Sequence, residues 1–169
     1  MSDPTVPPSL PPEFGVYFAL LEVGALVQHG VEGQLRRDGG LSFVQFQILA
    51  MCGEDPSSPR SMTDLADRLV HSKSGLTYQV DRLEQAGLVA RVPSPHDERG
   101  VNVTLSPKGA SLLERVLPGH IEVVRDVLVD ALDDADRGEL TRLLARVVRH
   151  MRSRPPRSAR RSPESGAEA

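Results

Sequence analysis

Between Ser72 and Arg82 the chain carries a run of small and hydrogen-bonding side chains: Ser72, Lys73, Ser74, Gly75, Thr77, Tyr78 and Arg82. On a helix turning about 100° per residue, Leu76, Val80 and Leu83 fall together and must face a core. Ser74, Tyr78, Asp81 and Gln85 fall on the opposite side, flanked by Gly75, Thr77 and Arg82. Such groups at the start of a helix can hydrogen-bond to base edges in a major groove, and small side chains let the helix approach closely. Lys73 and the free N–H groups of the helix start favour a phosphate. Taken alone, a solvated helix face explains the same residues.

A second group sits in the segment PSPHDERG, residues 93–100. Arg99 at the tip of an extended arm suits a minor groove, whose negative potential attracts guanidinium. Asp97 is placed to hold the turn, or Arg99, by hydrogen bonds. A surface ion pair of little energetic worth is the plain alternative for these two. It loses ground because the hairpin that carries this segment directly follows the helix 73–86.

Other reactive side chains point to no chemistry. Cys52 sits among Leu49, Ala50 and Met51, the setting of an inert small hydrophobe. The five histidines, His29, His71, His96, His120 and His150, form no close cluster with Cys, Asp or Glu, so no metal site is expected. His71 lies in the turn before the helix 73–86, within reach of a phosphate, although plain solvent exposure accounts for it. There is no Gly-rich phosphate loop, metalloprotease motif or nucleophile elbow. No catalytic residue and no cofactor is assigned; the chain does not read as an enzyme.

The elements that position these groups follow from periodicity and capping. Apolar residues recur at helical spacing from Phe14 to Leu35, in a stripe wide enough for burial on more than one side. Either this is a core helix of one domain or it is shared between two subunits. Ser42 and Gln45 form a capping box and Leu41 with Phe46 a hydrophobic staple, opening a helix that ends at Gly53. EDPSSPR reads as a loop. A helix near Ser61, with Leu65, Ala66, Leu69 and Val70 inward, is separated by a few residues from the next, which Ser72 caps and Gly87 stops. That is a helix-turn-helix. LVARV (88–92) and VNVTL (101–105) alternate like strands and make a hairpin, the wing. Ser106-Pro107 opens another helix, which Pro118 should kink or interrupt. A last helix starts near Asp133 and carries Leu140, Leu143, Leu144, Val147, Val148 and Met151.

The fold class is therefore mainly α with a small β-hairpin wing (α+β). A helical dimerisation region, 13–36 and 107–151, flanks a winged helix-turn-helix domain, 42–106. The arm 1–12, with five prolines in residues 2–12, and the tail 152–169, rich in Pro, Ser and Arg, read as disordered. The tail's arginines can add nonspecific attraction to DNA, although a solvated tail explains them. The N-terminus lacks a basic start and an apolar run of secretory length. No stretch reads as long and apolar enough for a bilayer, which takes about 20 residues. With a single cysteine, these absences point to the cytoplasm and away from membranes. The formal net charge is −3, so a nucleic-acid interface must rest on local, not overall, positive charge.

From about Phe14 to Met151 the chain resembles the MarR family of transcription regulators. The motifs are SMTDLADRL, SKSGLTYQVDRLEQAGLVAR, the wing signature D-x-R-G at Asp97–Gly100, and VTLSPKG at Val103–Gly109. The resemblance implies homodimers, with the first and last two helices forming the dimer domain. It implies that the two winged domains reach successive major grooves of a pseudo-palindromic operator, about 34 Å apart. Family members usually repress, and many release DNA when a small molecule, commonly phenolic, or an oxidant acts near the junction of the two domains. A pocket bordered by the first, second and fifth helices would include Phe18, Phe43 and Phe46, which core packing explains equally well. Family members that sense peroxide carry their cysteine near the start of the first helix, unlike Cys52. The readings are thus a sequence-specific DNA-binding regulator, with helix 73–86 in the major groove and wing 93–100 in the minor groove, or a winged-helix protein-interaction module without DNA binding. A redox- or metal-responsive sensor is the remaining alternative.

Overall fold

The computed structural model describes residues 10–55, 58–69, 72–94, 97 and 100–153, without the side chain of Lys73. The remainder of the arm and tail expectations, on 1–9 and 154–169, lies outside the described residues. Order begins earlier than the sequence suggests, because Pro12–Phe14 already forms a 3-10 turn leading into the first helix.

Helix α1 spans Gly15–Gly39, three residues beyond the expected boundary at 36. It ends where Gly40 adopts a left-handed φ of 63°, letting its N–H reach the Arg36 carbonyl at 3.0 Å. Helix α2, Phe43–Gly53, starts with the expected capping box: Gln45 N–H donates to Ser42 Oγ and Ser42 N–H to Gln45 Oε1. Phe46, Ile48, Leu49, Met51 and Cys52 of α2 are buried, which is why the helix is apolar nearly all round.

A short strand β1, Arg60–Ser61, follows, in a stretch the sequence assigned to a loop and helix start. It pairs antiparallel with β3, Arg60 opposite Val103 and Ser61 opposite Asn102. Helix α3 is Met62–Leu69 and α4 is Lys73–Gln85. Strands β2, Val89–Pro93, and β3, Val101–Leu105, form the hairpin, and the sheet order is β1-β3-β2. The core gathers Ile48 and Leu49 from α2, Leu65 from α3, Leu76, Val80 and Leu83 from α4, and Val89 and Val103 from the sheet. Burying each such side chain contributes about 1.5–3 kcal/mol. Leu69 packs against this cluster from its margin, and Val70 lies outside the described residues.

Helix α5 runs without interruption from Pro107 to Val127, so of the two outcomes expected at Pro118, a kink or an interruption, the interruption does not occur. Its ring removes one backbone donor, but contacts with α1 hold the helix across this point: buried Gln34 donates through Nε2 to the Val116 carbonyl at 3.1 Å. A 3-10 turn at Val129–Ala131 leads to α6, Asp134–Arg152, capped by Asp133, whose carboxylate accepts from Asp136 N–H at 2.8 Å. Helix α6 buries none of its residues.

The expectation that no stretch is long and apolar enough for a bilayer does not hold. The stretch Pro12–Gly39 is long and apolar enough to cross a bilayer, with a mean hydropathy of 1.4 over 18 residues. Length and composition alone satisfy that criterion. Glu22 lies in the middle of the stretch, and a carboxylate there is costly in hydrocarbon. Val31, Gln34 and Leu35, at the C-terminal end, are buried within the protein's own core.

Candidate nucleic-acid interface

The helix-turn-helix is built on α4. Ser72 caps it, its Oγ accepting from Gly75 N–H at 3.2 Å. Leu76, Val80 and Leu83 are at most 1% exposed and fix the rotation of the helix. That rotation leaves Ser72, Ser74, Thr77 and Arg82 exposed, with Tyr78 58% exposed and Gly75 half-buried. Ser72, Ser74, Gly75, Thr77, Tyr78 and Arg82 thus lie together on the first three turns, as the sequence places them. Lys73 occupies the first helical position. Such a surface offers hydroxyls, a phenol, a cation and the free N–H groups of a helix start. It can hydrogen-bond to base edges and accept phosphate. Tyr78 and Arg82 are also side chains that a protein interface favours; the hydroxyls and the helix start beside them are what suit DNA.

Asp81 belongs to the structure more than to this face. Its carboxylate accepts from Arg91 Nη2 at 2.6 Å, while Arg91 Nη1 pairs with Glu84. Arg91 N–H also donates to Glu84 Oε1 at 3.1 Å. These bonds lash β2, and with it the base of the wing, to the outer side of α4. Sequence reasoning missed Arg91. Its only signal is an arginine inside a strand pattern, and nothing local names its partners ten and seven residues away.

The far end of α4 is held as firmly. Gly87 adopts a φ of 72°, and Leu88 N–H returns to the Leu83 carbonyl at 2.9 Å. The start of α5 then caps the exposed carbonyls: Lys108 Nζ donates to Ala86 O and Ser106 Oγ to Gly87 O, both at 2.7 Å. Gly109 makes this approach feasible, since a Cβ there would collide with the backbone of Leu88. The S-P-K-G run therefore encodes the docking of α5 onto the end of α4. On the opposite side Glu54 joins the elements below, accepting from Arg60 Nη2 at 2.9 Å and from Arg68 Nη1 at 3.0 Å. The Arg68 hydrogen bond holds the Glu54 carboxyl below the usual carboxylate range, against the opposing effect of desolvation.

In the wing, Ser94 N–H donates to the Gly100 carbonyl at 3.0 Å and Gly100 N–H to the Asp97 carbonyl at 2.8 Å. A Cβ on Gly100 would lie 2.9 Å from the Cβ atoms of both Asp97 and Ser94. The glycine of D-x-R-G is thus needed for a tight turn, and Asp97 helps build that turn through its backbone. Asp97 itself is exposed. Arg99, His96 and His71 lie outside the described residues.

Cys52 is buried, with Sγ 3.9 Å from the Val103 carbonyl. Burial pushes its thiol up to about 11, and the opposing pull of Arg60 does not offset it. That suppresses the thiolate an oxidant would attack. No group of three or more His, Cys, Asp or Glu side chains suited to a metal occurs among the described residues. His120 packs against Phe46 with ring centroids 4.3 Å apart, and desolvation lowers its pKa. Phe46 is buried, and Phe43 and Phe18 are partly buried, Phe18 making an edge contact with Tyr17 at 5.2 Å. The pocket imagined among these three rings is, in Phe46 at least, packed core.

A capped helix pair, a wing lashed to the second helix, and a small polar face on that helix define a winged helix-turn-helix protein of the DNA-binding class. The MarR family model matches residues 39–100. The fold is similar to that of Sco3205 of Streptomyces coelicolor, a MarR family regulator solved in complex with DNA. That match has 31% identity and a TM-score of 0.75, covering 85% of this chain and 90% of that one. It is also similar to AbsC of the same organism, at 31% identity and a TM-score of 0.77, covering 88% of this chain and all of that one (100%). The HTH-type regulator PecS of Dickeya dadantii is 37% identical over 91 residues, an alignment spanning 54% of this chain and 54% of PecS. The chain belongs to the MarR family of winged helix-turn-helix transcription regulators, which are not enzymes.

Proposed function

We propose that two copies of the chain bind a pseudo-palindromic duplex and repress transcription from it. On this reading the face Ser72–Arg82 of each α4 enters a major groove, and Asp97 and Arg99 of each wing address the adjacent minor groove. The observation that carries the reading is an asymmetry of surface. The recognition face is small and polar, whereas the end helices expose apolar side chains that a second protein surface would cover. Val16 is 68% exposed, Leu26 61% and Met151 65%, and Leu21, Ile121, Leu144 and Val148 join them. Exposed apolar area of that extent marks an association surface. A second copy is the natural occupant, since it sets two α4 helices at a fixed spacing, as successive grooves require. On this reading the protein works where the DNA is, in the cytoplasm. A small phenolic effector acting at the junction of the end helices and the winged domain belongs to the same proposal.

The test combines mass and affinity. Light scattering at micromolar concentration should give the mass of a dimer. Arg99→Ala should weaken binding to a duplex from the upstream region about tenfold, a loss of about 1.4 kcal/mol, with thermal stability unchanged. A monomer removes the paired-helix part of the proposal. Unchanged affinity removes the wing. Absence of any duplex binding at low salt favours the protein-interaction module instead.

A further inference from the structure

Within one copy, α6 is tied to the rest of the protein chiefly by the turn that precedes it. It buries none of its residues and, among the described residues, packs extensively on no other element. Helix α5 is the opposite case. Its first turn is docked on the end of α4 through Ser106, Lys108 and Gly109. Further along, α1 lies against it: Gln34 reaches the Val116 carbonyl, and a Cβ on Gly30 would meet Val127 Cγ1 at 3.3 Å. The recognition helix, α5 and α1 thus form one body, and the direction of α6 relative to it is decided between Val127 and Asp134. Arg137 closes that turn. Leu128 leaves helical geometry at φ −137° and ψ −53°, the 3-10 turn follows, and the chain is extended at Leu132 before Asp133 caps α6. From the start of α6, Arg137 reaches back across it. Nη1 donates to the Val129 carbonyl at 3.2 Å and to the Leu132 carbonyl, and Nη2 pairs with the Asp134 carboxylate. The ion pair adds little, because Asp134 is exposed. The two carbonyls flank the 3-10 turn, so the guanidinium fork fixes its shape.

We propose that Arg137 is a positioning residue for DNA binding: by holding the α5–α6 turn it sets the separation of the two recognition helices, and so the spacing of half-sites that the dimer accepts. This rests on the dimeric DNA-binding reading given above. On that reading the partner copy grips α6 through its exposed Leu144, Val147, Val148 and Met151, while α4 rides at the far end of α5. Helix α5 has 21 residues, which makes it a lever about 30 Å long at about 1.5 Å per residue. A swing of about 10° at the turn carries α4 through about 5 Å. One base pair advances the duplex by about 3.4 Å. A small change at Arg137 therefore moves the recognition helices by more than a base-pair step, although Arg137 itself lies at the other end of the molecule from the DNA-reading face.

The first arm of the test uses no DNA. Nitroxides are attached at Gln85→Cys, exposed at the end of α4, in both copies of the full chain, and double electron–electron resonance reads their separation; Cys52 is buried and stays unlabelled. Arg137→Met should shift the mean separation by about 5 Å or more, or about double the width of its distribution. Arg137→Lys, which keeps the charge without the fork, should do the same. An unchanged distribution in the Arg137→Met dimer overturns the proposal. So does loss of the dipolar signal, which would make Arg137 a residue of association only. Arg137→Lys behaving like the unsubstituted protein overturns the role of the fork. In the second arm, the half-sites of a duplex selected from a random pool are respaced by one base pair either way. The unsubstituted protein should prefer the selected spacing about tenfold, since each step also rotates one half-site about the helix axis. Arg137→Met should lower that preference at least threefold and leave affinity for a single half-site unchanged. Altered separation with an unchanged spacing preference overturns the link to DNA alone. Failure to bind any duplex counts against the proposed function and leaves the distance result standing. A monomeric unsubstituted protein removes both.

Discussion

Replacing Gly109 by alanine separates tertiary packing from helix propensity, because the two predict opposite signs. Gly109 occupies the first turn of α5, where alanine would ordinarily stabilise a helix by up to about 1 kcal/mol. Here the added methyl would sit on the Leu88 carbonyl, 3.0 Å from its carbon, and 2.9 Å from Leu105 Cδ1. Backbone cannot swing aside as a flexible side chain can, so α5 must retreat from the α4–β2 turn. Retreat stretches three hydrogen bonds: Ser106 Oγ to Gly87 O at 2.7 Å, Lys108 Nζ to Ala86 O at 2.7 Å, and Ser106 N–H to Leu88 O at 3.1 Å. At about 1 kcal/mol net for each bond, the loss is about 3 kcal/mol, and the gain in propensity returns about 1. The variant should therefore be less stable by about 2 kcal/mol, or about 4–8 °C in Tm for a chain of this size. Urea denaturation at one fixed protein concentration measures it, since association would otherwise shift the midpoint. A Gly109→Ala protein as stable as the original, or more so, refutes the close docking of α5 on the end of α4.

Other parts of the account are open to direct measurement. Cys52, buried and with its thiol pushed up to about 11, should resist iodoacetamide at pH 8 in the native protein and react freely in denaturant. Native and denatured protein alkylating at similar rates would show an accessible thiol and revive the sensor reading. Desolvation holds His120 below the ordinary histidine value of 6.5, so the unfolded chain binds this proton at higher pH than the folded one does. Stability should then fall as pH drops below about 6.5. Urea midpoints for His120→Phe should decline less over that range than those of the unsubstituted protein, and parallel declines would contradict the assignment.

Much of this arrangement is legible in the sequence because it is encoded locally. Ser42, Ser72, Ser106 and Asp133 announce helix starts through hydrogen bonds three residues on, and all four make them. The spacing of Leu76, Val80 and Leu83 fixes which side of α4 faces outward. What escaped depends on contacts between distant segments. Strand β1 has two residues, too few for an alternating pattern, and exists because β3 offers an edge to pair with. Pro118 reads as a kink or an interruption, and α1 packed alongside keeps α5 continuous. Asp81 reads as part of the outward face until Arg91 is seen to engage it. Gly109 reads as one letter of a family motif, and its physical reason is the Leu88 backbone beside it. The apolar stretch Pro12–Gly39 shows the converse: its length and composition meet the criterion for a bilayer span, and only contacts at its C-terminal end, through Val31, Gln34 and Leu35, tie it to the protein's core.

The central claim is that the outward face of α4 reads DNA. Tyr78 tests it most directly, because it stands in the middle of that face and is 58% exposed, so its removal should cost little stability. The measurement is equilibrium binding of the protein and of Tyr78→Ala to a duplex selected from a random pool and to an unrelated duplex of equal length. The account predicts at least a tenfold loss, about 1.4 kcal/mol, on the selected duplex and little change on the unrelated one, since backbone contacts carry nonspecific binding. Equal affinity of the two proteins for the selected duplex would contradict it.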